Sequence, residues 1–339
     1  MNHEALLAAW DIDAIRITPM SGGLIHSTWK AEATQGVFLF QQLNTSVFRS
    51  PEKIHTNLRR VKAHLLQHHP DYLLPTPLAL PSGDDLLRSS SGTCFRLFSF
   101  VEGSQSYRVA NSEQLAFEAA FQFGTLTRML ENMDTADYYL PLPGFHDVSM
   151  RFVQLEAAVK TAKEDRLKQA KEVLTGLLDF RVLEQKFRAM KEDHMFRIRM
   201  MHHDAKISNV LFDKADRGMC VVDLDTLMPG YIISDLGDLF RTFLSPVSEE
   251  EADLDKIEIR KPFYDAIEAG YLDALGDKLS SSERSSFVFA GQCMMYMQSM
   301  RFLTDFLEND QYYGAAYPLH NLARAHNQLR LLQQFTNAK

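Results

Sequence analysis

Four polar residues between Met200 and Asp238 have the types and spacing to do chemistry. His202-x-Asp204 is followed after four residues by Asn209, and Asp223 comes one short turn later. The segment reads as a strand (Asn209-Val-Leu-Phe), a turn (Asp213 to Gly218) and a return strand ending on Asp223. A hairpin brings its outer ends together, so Asn209 and Asp223 are expected side by side. Two oxygen donors on adjacent strand ends suit Mg²⁺, which takes its remaining ligands from phosphates and water. Asp204 can accept the proton of a hydroxyl or orient that hydroxyl for attack. Lys206 can face a transferring phosphoryl group and offset its charge, while His202 is expected to brace the loop by hydrogen bonds.

These residues need elements to hold them. Residues 13–43 alternate as strands, and Ser50-Pro51-Glu52 opens a helix with an N-cap serine and proline at the first position. Leu78–Leu80 and Leu86-Leu87 flank a Pro-Ser-Gly-Asp turn and read as a hairpin. Thr93–Val101 is a further strand. From Asn111 or Ser112 onward the pattern is helical, except for a strand-like island over 198–233. The reading is α+β: a small β-rich lobe over 1–101 and a larger helical lobe over 102–339 that carries the site.

The charge of −8 argues against nucleic acid as the main partner but leaves room for an anionic substrate on a local basic patch. No apolar run is long enough to span a membrane, and the first ten residues do not read as a signal peptide. Cys94, Cys220 and Cys293 are odd in number, widely spaced and set among apolar residues, as in a reduced cytoplasmic protein.

The spacing from His202 to Asn209 is that of the protein-kinase catalytic loop. The chain resembles the aminoglycoside phosphotransferase and choline-kinase-like branch of the protein-kinase fold, and within it the N-acetylhexosamine 1-kinase group. The matching segments are Ser21–Thr28, Phe40–Phe48, His202–Leu211, Val222–Gly230, Asp235-Leu-Gly-Asp238 and Arg301–Phe306. The resemblance implies transfer from ATP with Mg²⁺ to a hydroxyl of a small molecule, here a sugar or amino sugar. It implies nucleotide binding near Phe100-Val-Glu102, acceptor contacts from His26, Asp225 and Arg301, and structural support from Asp235 and Asp238.

The small lobe departs from that pattern. It has no G-x-G-x-x-G; Ser21-Gly22-Gly23 is the candidate nucleotide-phosphate loop, against the plain reading of an ordinary turn. The third strand should carry a phosphate-binding lysine, but Gln41 stands there. Lys30 on the neighbouring strand is the candidate replacement, against the plain reading that it points to solvent. The plain reading of Arg301 is a partner of Asp305, that of His26 a strand-surface residue. Met294, Met295, Met297 and Met300 read as core, and Lys160–Lys171 as a solvated helix face. Other readings are a kinase of another small alcohol or an aminoglycoside, a nucleotide-binding pseudokinase, and a metal hydrolase on His202, His203 and Asp204. The last lacks a second ligand set such as H-E-x-x-H.

Overall fold

Period-two alternation builds the sheet. The computed structural model describes residues 3–20 and 25–338; Ser21, Gly22 and Gly23 lie outside the described residues. A short helix α1 (His3–Leu7) precedes β1 (Ala14–Pro19), β2 (Ser27–Ala33) and β3 (Gly36–Gln42). Helix α2 (Pro51–His68) follows, then β4 (Leu87–Arg88) and β5 (Cys94–Ser99). The five strands form one antiparallel sheet in the order β1-β2-β3-β5-β4.

Alternate residues of these strands face opposite ways. Ala31, Phe38, Phe40, Phe95 and Leu97 are buried with Leu7, Trp10 and Ile12 in a small core on one face. Phe40 stacks on Phe95 with ring centroids 5.3 Å apart. The opposite face carries a polar row, Thr28, Gln41 and Arg96, in register across β2, β3 and β5. That face looks toward the rest of the molecule.

The remainder is mostly helical. It comprises α3 (Glu113–Met129), α4 (Val148–Thr161), α5 (Glu164–Asp179) and α6 (Val182–Glu192), then β6 (Arg199–Met201), β7 (Val210–Phe212), β8 (Gly218–Val221) and β9 (Met228–Gly230). Helices α7 (Ile233–Phe243), α8 (Lys261–Leu275), α9 (Ser281–Arg284), α10 (Phe287–Leu307) and α11 (His320–Ala338) complete it. Helix α3 lies so close along α8 that a Cβ at Gly270 would fall 2.3 Å from the Phe117 carbonyl oxygen, so only glycine fits there. Met294, Met295, Met297 and Met300 are all buried on α10, as expected of core residues. The three cysteines are free and buried. No helix among the described residues is long and apolar enough to cross a membrane.

Several local expectations need correction. Ser112 caps α3 by accepting the Leu115 N–H, but the Ser50 side chain caps nothing; only Pro51 takes its expected place at the start of α2. The expected hairpin over 78–87 is not formed. Its turn exists, with Leu80 N–H bonded to Asp84 O at 2.6 Å, but Leu78 N–H is drawn to Leu97 O on β5. Strand β4 pairs with β5 instead, across the turn at Gly92. The island over 198–233 is two nested pairs: the β7–β8 hairpin sits inside a β6–β9 pair. The buried face of α2 (Ile54, Leu58, Val61, Leu65) belongs to the large helical core, not to that of the sheet it follows in sequence.

Candidate active site

The loop between β6 and β7 carries the candidate residues, and its own backbone donors fix its path. The N–H groups of His202 and His203 both donate to the Asp235 carboxylate, at 2.8 and 2.7 Å. Asp235 is buried in the first turn of α7, and burial pushes its carboxyl up to about 6 against the opposing pull of His202. His202 Nε2 donates to Val222 O at 2.9 Å, and its Nδ1 accepts the Asp204 N–H at 3.2 Å. The ring stands edge-on to Phe123. His202 is thus positioned as a brace.

His203 takes a left-handed backbone, φ 63°. Its Nε2 donates to Met228 O at 3.2 Å and its Nδ1 meets Ser234 Oγ at 2.7 Å. Burial lowers its imidazole to about 4. With both histidines spent on protein partners, the pair is poorly placed to hold a hydrolytic metal.

Asp204 is half-buried and receives three donors. Lys206 Nζ donates to its Oδ2 at 2.7 Å, Asn209 Nδ2 to the same oxygen at 2.9 Å, and Asn209 Nδ2 also to its main-chain oxygen at 2.9 Å. Burial alone would raise its carboxyl, but Lys206, His202 and Asn209 override that and hold it low. Burial opposes the Lys206 charge as well, yet Asp204, Asp223 and Asp238 together raise its ammonium.

The β7–β8 hairpin closes as expected: Val222 N–H donates to Asn209 O at 2.9 Å, which sets Asp223 next to Asn209. Asp223 also has a left-handed backbone, φ 62°. Its carboxylate is exposed and forms no hydrogen bond or ion pair among the described residues. Desolvation at the crowded site lifts its carboxyl, and repulsion from Asp225 and Asp204 lifts it further. Asn209 spends its amide nitrogen on Asp204 and keeps its amide oxygen. Both ends of the hairpin therefore present a free hard oxygen, which fits Mg²⁺.

The sheet side was less legible. Gln41 Nε2 donates to Thr28 Oγ1 at 3.1 Å, and its Oε1 accepts from Arg96 Nε and Nη2 at 2.9 and 2.7 Å. Arg96 then forks onto Asp225: Nη1 bonds Oδ1, and Nη2 lies 2.9 Å from Oδ2. His26 Nε2 meets the same Oδ2 at 2.7 Å, and its Nδ1 accepts Asn44 N–H. Burial would raise the Asp225 carboxyl, but Arg96 and His26 drive it far below the usual range. The structure thus places His26 and Asp225 inside a buried tie between sheet and helical part. Sequence reading missed Arg96, whose signal was a lone charge within the apolar strand Cys94–Ser99, where an arginine must find a partner.

Lys30 lies on the same face as Gln41, one row away. Its Nζ is 3.6 Å from Glu32 Oε1 and 5.0 Å from the centroid of the half-buried Phe100 ring. Glu102 is exposed. The cation missing from the Gln41 position is already present as Arg96, and its carboxylate is already taken. Gln41→Lys is therefore expected to set two cations against each other. It should lower thermal stability by the equivalent of about 1–3 kcal/mol without improving KM for ATP. Thermal melting and steady-state kinetics check both halves.

Arg301 is half-buried on α10 and does not pair with Asp305. Asp305 instead accepts from the N–H groups of Tyr312 and Tyr313 and from Asn321. Arg301 donates to Gln298 Oε1 at 3.0 Å and lies over the rings of Phe145 and Tyr313. Asp238 accepts from Arg241 at 2.8 Å and supports the loop electrostatically. Behind the loop between β6 and β7, a cavity of about 130 Å³ is lined by residues including Phe145, His146, His203 and Gly230. A Cβ at Gly230 would fall 2.5 Å from His203 Cε1. Gly230→Ala must push that ring and the adjoining Asp204, so kcat is expected to fall about tenfold or more, with stability lowered by about 1–3 kcal/mol; near-native kcat would refute the link.

A family model described as "Phosphotransferase enzyme family" matches residues 16–276. Among solved structures, an amicoumacin kinase in complex with AMP-PNP, Ca²⁺ and Ami superposes with a TM-score of 0.62 at 12% identity, covering 100% of this chain and 97% of its own. A microcompartment-associated aminopropanol kinase gives 0.61 at 13%, covering 99% and 97%. An aminoglycoside phosphotransferase from Alicyclobacillus acidocaldarius gives 0.58 at 12%, covering 98% and 94%. At such identities these likenesses speak to the fold, and they match its sheet and helical remainder.

Proposed function

The chain belongs to the phosphotransferase enzyme family, and from that premise we propose that it moves the γ-phosphoryl group of ATP to a hydroxyl of a sugar or amino sugar. The observation that carries the reading is the grouping of Asp204, Lys206, Asn209 and Asp223 on one short loop and hairpin. The acceptor oxygen forms a bond to the γ-phosphorus as the bond from that phosphorus to the β–γ bridging oxygen breaks. ADP leaves with that electron pair, and the acceptor proton passes to Asp204 and then to water.

The low carboxyl of Asp204 makes it a weak base, so its main task is to orient the hydroxyl and to take the proton late, once phosphorus–oxygen bonding has acidified it. Lys206 lies within reach of the transferring group and offsets its charge. Asn209 and Asp223 are the residues that would hold Mg²⁺, which supplies charge neutralisation on the phosphates. Lys30 and Phe100 form the cleft edge where the nucleotide is expected. The sugar assignment draws support from the resemblance of Val222–Gly230 and Arg301–Phe306 to the N-acetylhexosamine 1-kinase group and from the ring and guanidinium surfaces of Phe145, Tyr313 and Arg301.

The deciding experiment is an ADP-release assay with Mg-ATP over a panel of sugars, amino sugars, amino alcohols and aminoglycosides, with ³¹P NMR of the product. Turnover confined to non-sugar alcohols would remove the sugar assignment. ATP binding without turnover of any acceptor would favour a pseudokinase.

A further inference from the structure

Two guanidinium groups beside the proposed acceptor region lack a counter-charge. Arg301 forms no ion pair among the described residues. Its faces are covered by Phe145, at 4.8 Å, and Tyr313, at 5.5 Å, and one N–H is spent on Gln298. Arg151 on α4 donates to Gln154 Oε1 at 2.9 Å and Phe145 O at 3.1 Å, and its buried Nε–H has no partner. Burial and the neighbouring Arg301 charge lower the Arg151 guanidinium to about 10, so the two groups feel each other.

Nearby arginines are treated differently. Arg241 is held between Asp238 and Glu249, and Arg324 between Glu249 and Glu250. The carboxylate closest to hand, Asp147, is committed: Oδ2 pairs with Lys191 at 2.6 Å and Oδ1 caps α4 through Met150 N–H at 2.9 Å. Asp305 is likewise consumed by backbone donors. A chain with an overall charge of −8 thus leaves Arg151 and Arg301 without an ion-pair partner among the described residues. Both guanidiniums touch Phe145, Arg151 at its main-chain oxygen and Arg301 over its ring, and an arginine without a carboxylate partner suits a carboxylate or phosphate.

The pair also has a fixed relation to the reacting loop. Phe145, under Arg301, stacks on His146 at 4.6 Å, and His146 stands edge-on to His203 at 5.4 Å, the residue before Asp204. The contacts Arg301–Phe145, Phe145–His146 and His146–His203 therefore link the cations, ring by ring, to the residue that precedes Asp204.

We propose that Arg151 and Arg301 bind an oxyanion carried by the acceptor, so that the substrate is an anionic sugar with its carboxylate or phosphate remote from the phosphorylated hydroxyl. This rests on the kinase reading above and narrows it to a substrate class.

A matched set tests it: glucose, glucosamine, glucuronate and glucose 6-phosphate, with their galacto counterparts, each with Mg-ATP. The expected result is the highest kcat/KM on an anionic member, at least about tenfold above its neutral parent. The uronate and phosphate arms tell which oxyanion fits. Arg301→Gln and Arg151→Gln should each cut that kcat/KM by about 10- to 100-fold, chiefly through KM for the acceptor, and Arg301→Lys should restore part of it. A neutral or cationic member as best substrate, or a charge preference unmoved in both glutamine variants, overturns the proposal. If no compound turns over, the kinase reading is what has failed, and calorimetry on the wild-type protein still decides this one. Anionic members must bind at least about tenfold tighter than glucose; equal or weaker binding overturns it.

Discussion

Asp204→Asn is expected to lower kcat by at least about 10²-fold while ATP still binds. The substitution keeps size and shape but removes the charge that orients a hydroxyl and the site that takes its proton. The loop should keep its path, because Asp235 grips it through the backbone of His202 and His203, neither of which depends on the Asp204 carboxylate. The new amide can still accept from Asn209, but Lys206 loses its counter-charge. The loss should therefore appear in kcat with acceptor saturated, while calorimetry shows little change in nucleotide affinity. Near-native turnover would remove Asp204 from the role assigned to it.

Asp223→Ala is expected to abolish turnover and the Mg²⁺-dependent share of ATP affinity. Asp223 is exposed at the end of β8 with a carboxylate that no protein donor claims, so the fold loses little when it is removed. The left-handed backbone there costs alanine up to roughly 1–2 kcal/mol, which aspartate tolerates better, so a small loss in melting temperature is expected. A melting temperature near the native one together with lost activity would separate a ligand role from a structural one. Calorimetry showing unchanged Mg-ATP binding would refute the assignment.

Much of this site could be read from the sequence because it is local. His202, Asp204, Lys206 and Asn209 lie within eight positions, and Asp223 returns through one hairpin whose turn is written in Asp213–Gly218. Spacing along the chain is then nearly the same as spacing in space. The α+β architecture was legible for a similar reason: alternation along β2, β3 and β5 places its own apolar face. The rest depends on contacts between distant segments. Arg96 and Asp225 are 129 residues apart, and no pattern in either stretch names the other. Ser50 has the residue type of an N-cap yet its side chain caps nothing, and the 78–87 turn forms without its hairpin because Leu78 is claimed by β5, a tertiary competitor that local propensity does not contain. Asp305 looked like the natural partner for Arg301, being four residues on along one helix. The backbone of the following loop takes that carboxylate instead.

The pairing of acids and bases on the cleft floor sets an electrical condition on the order of events. Asp204 has Lys206, Asp225 has Arg96 and Asp238 has Arg241, so three of the four carboxylates there arrive already neutralised. Asp223 is the one left over. A single unmatched carboxylate and a neutral amide oxygen make a poor trap for a free divalent ion, since Mg²⁺ sheds its water reluctantly and wants more negative charge than that. The triphosphate brings that charge with it. The ion is therefore expected to enter as a passenger of the nucleotide and to leave with it. The empty cleft should show only millimolar-scale affinity for Mg²⁺ alone, and each turnover would renew the metal along with the ATP.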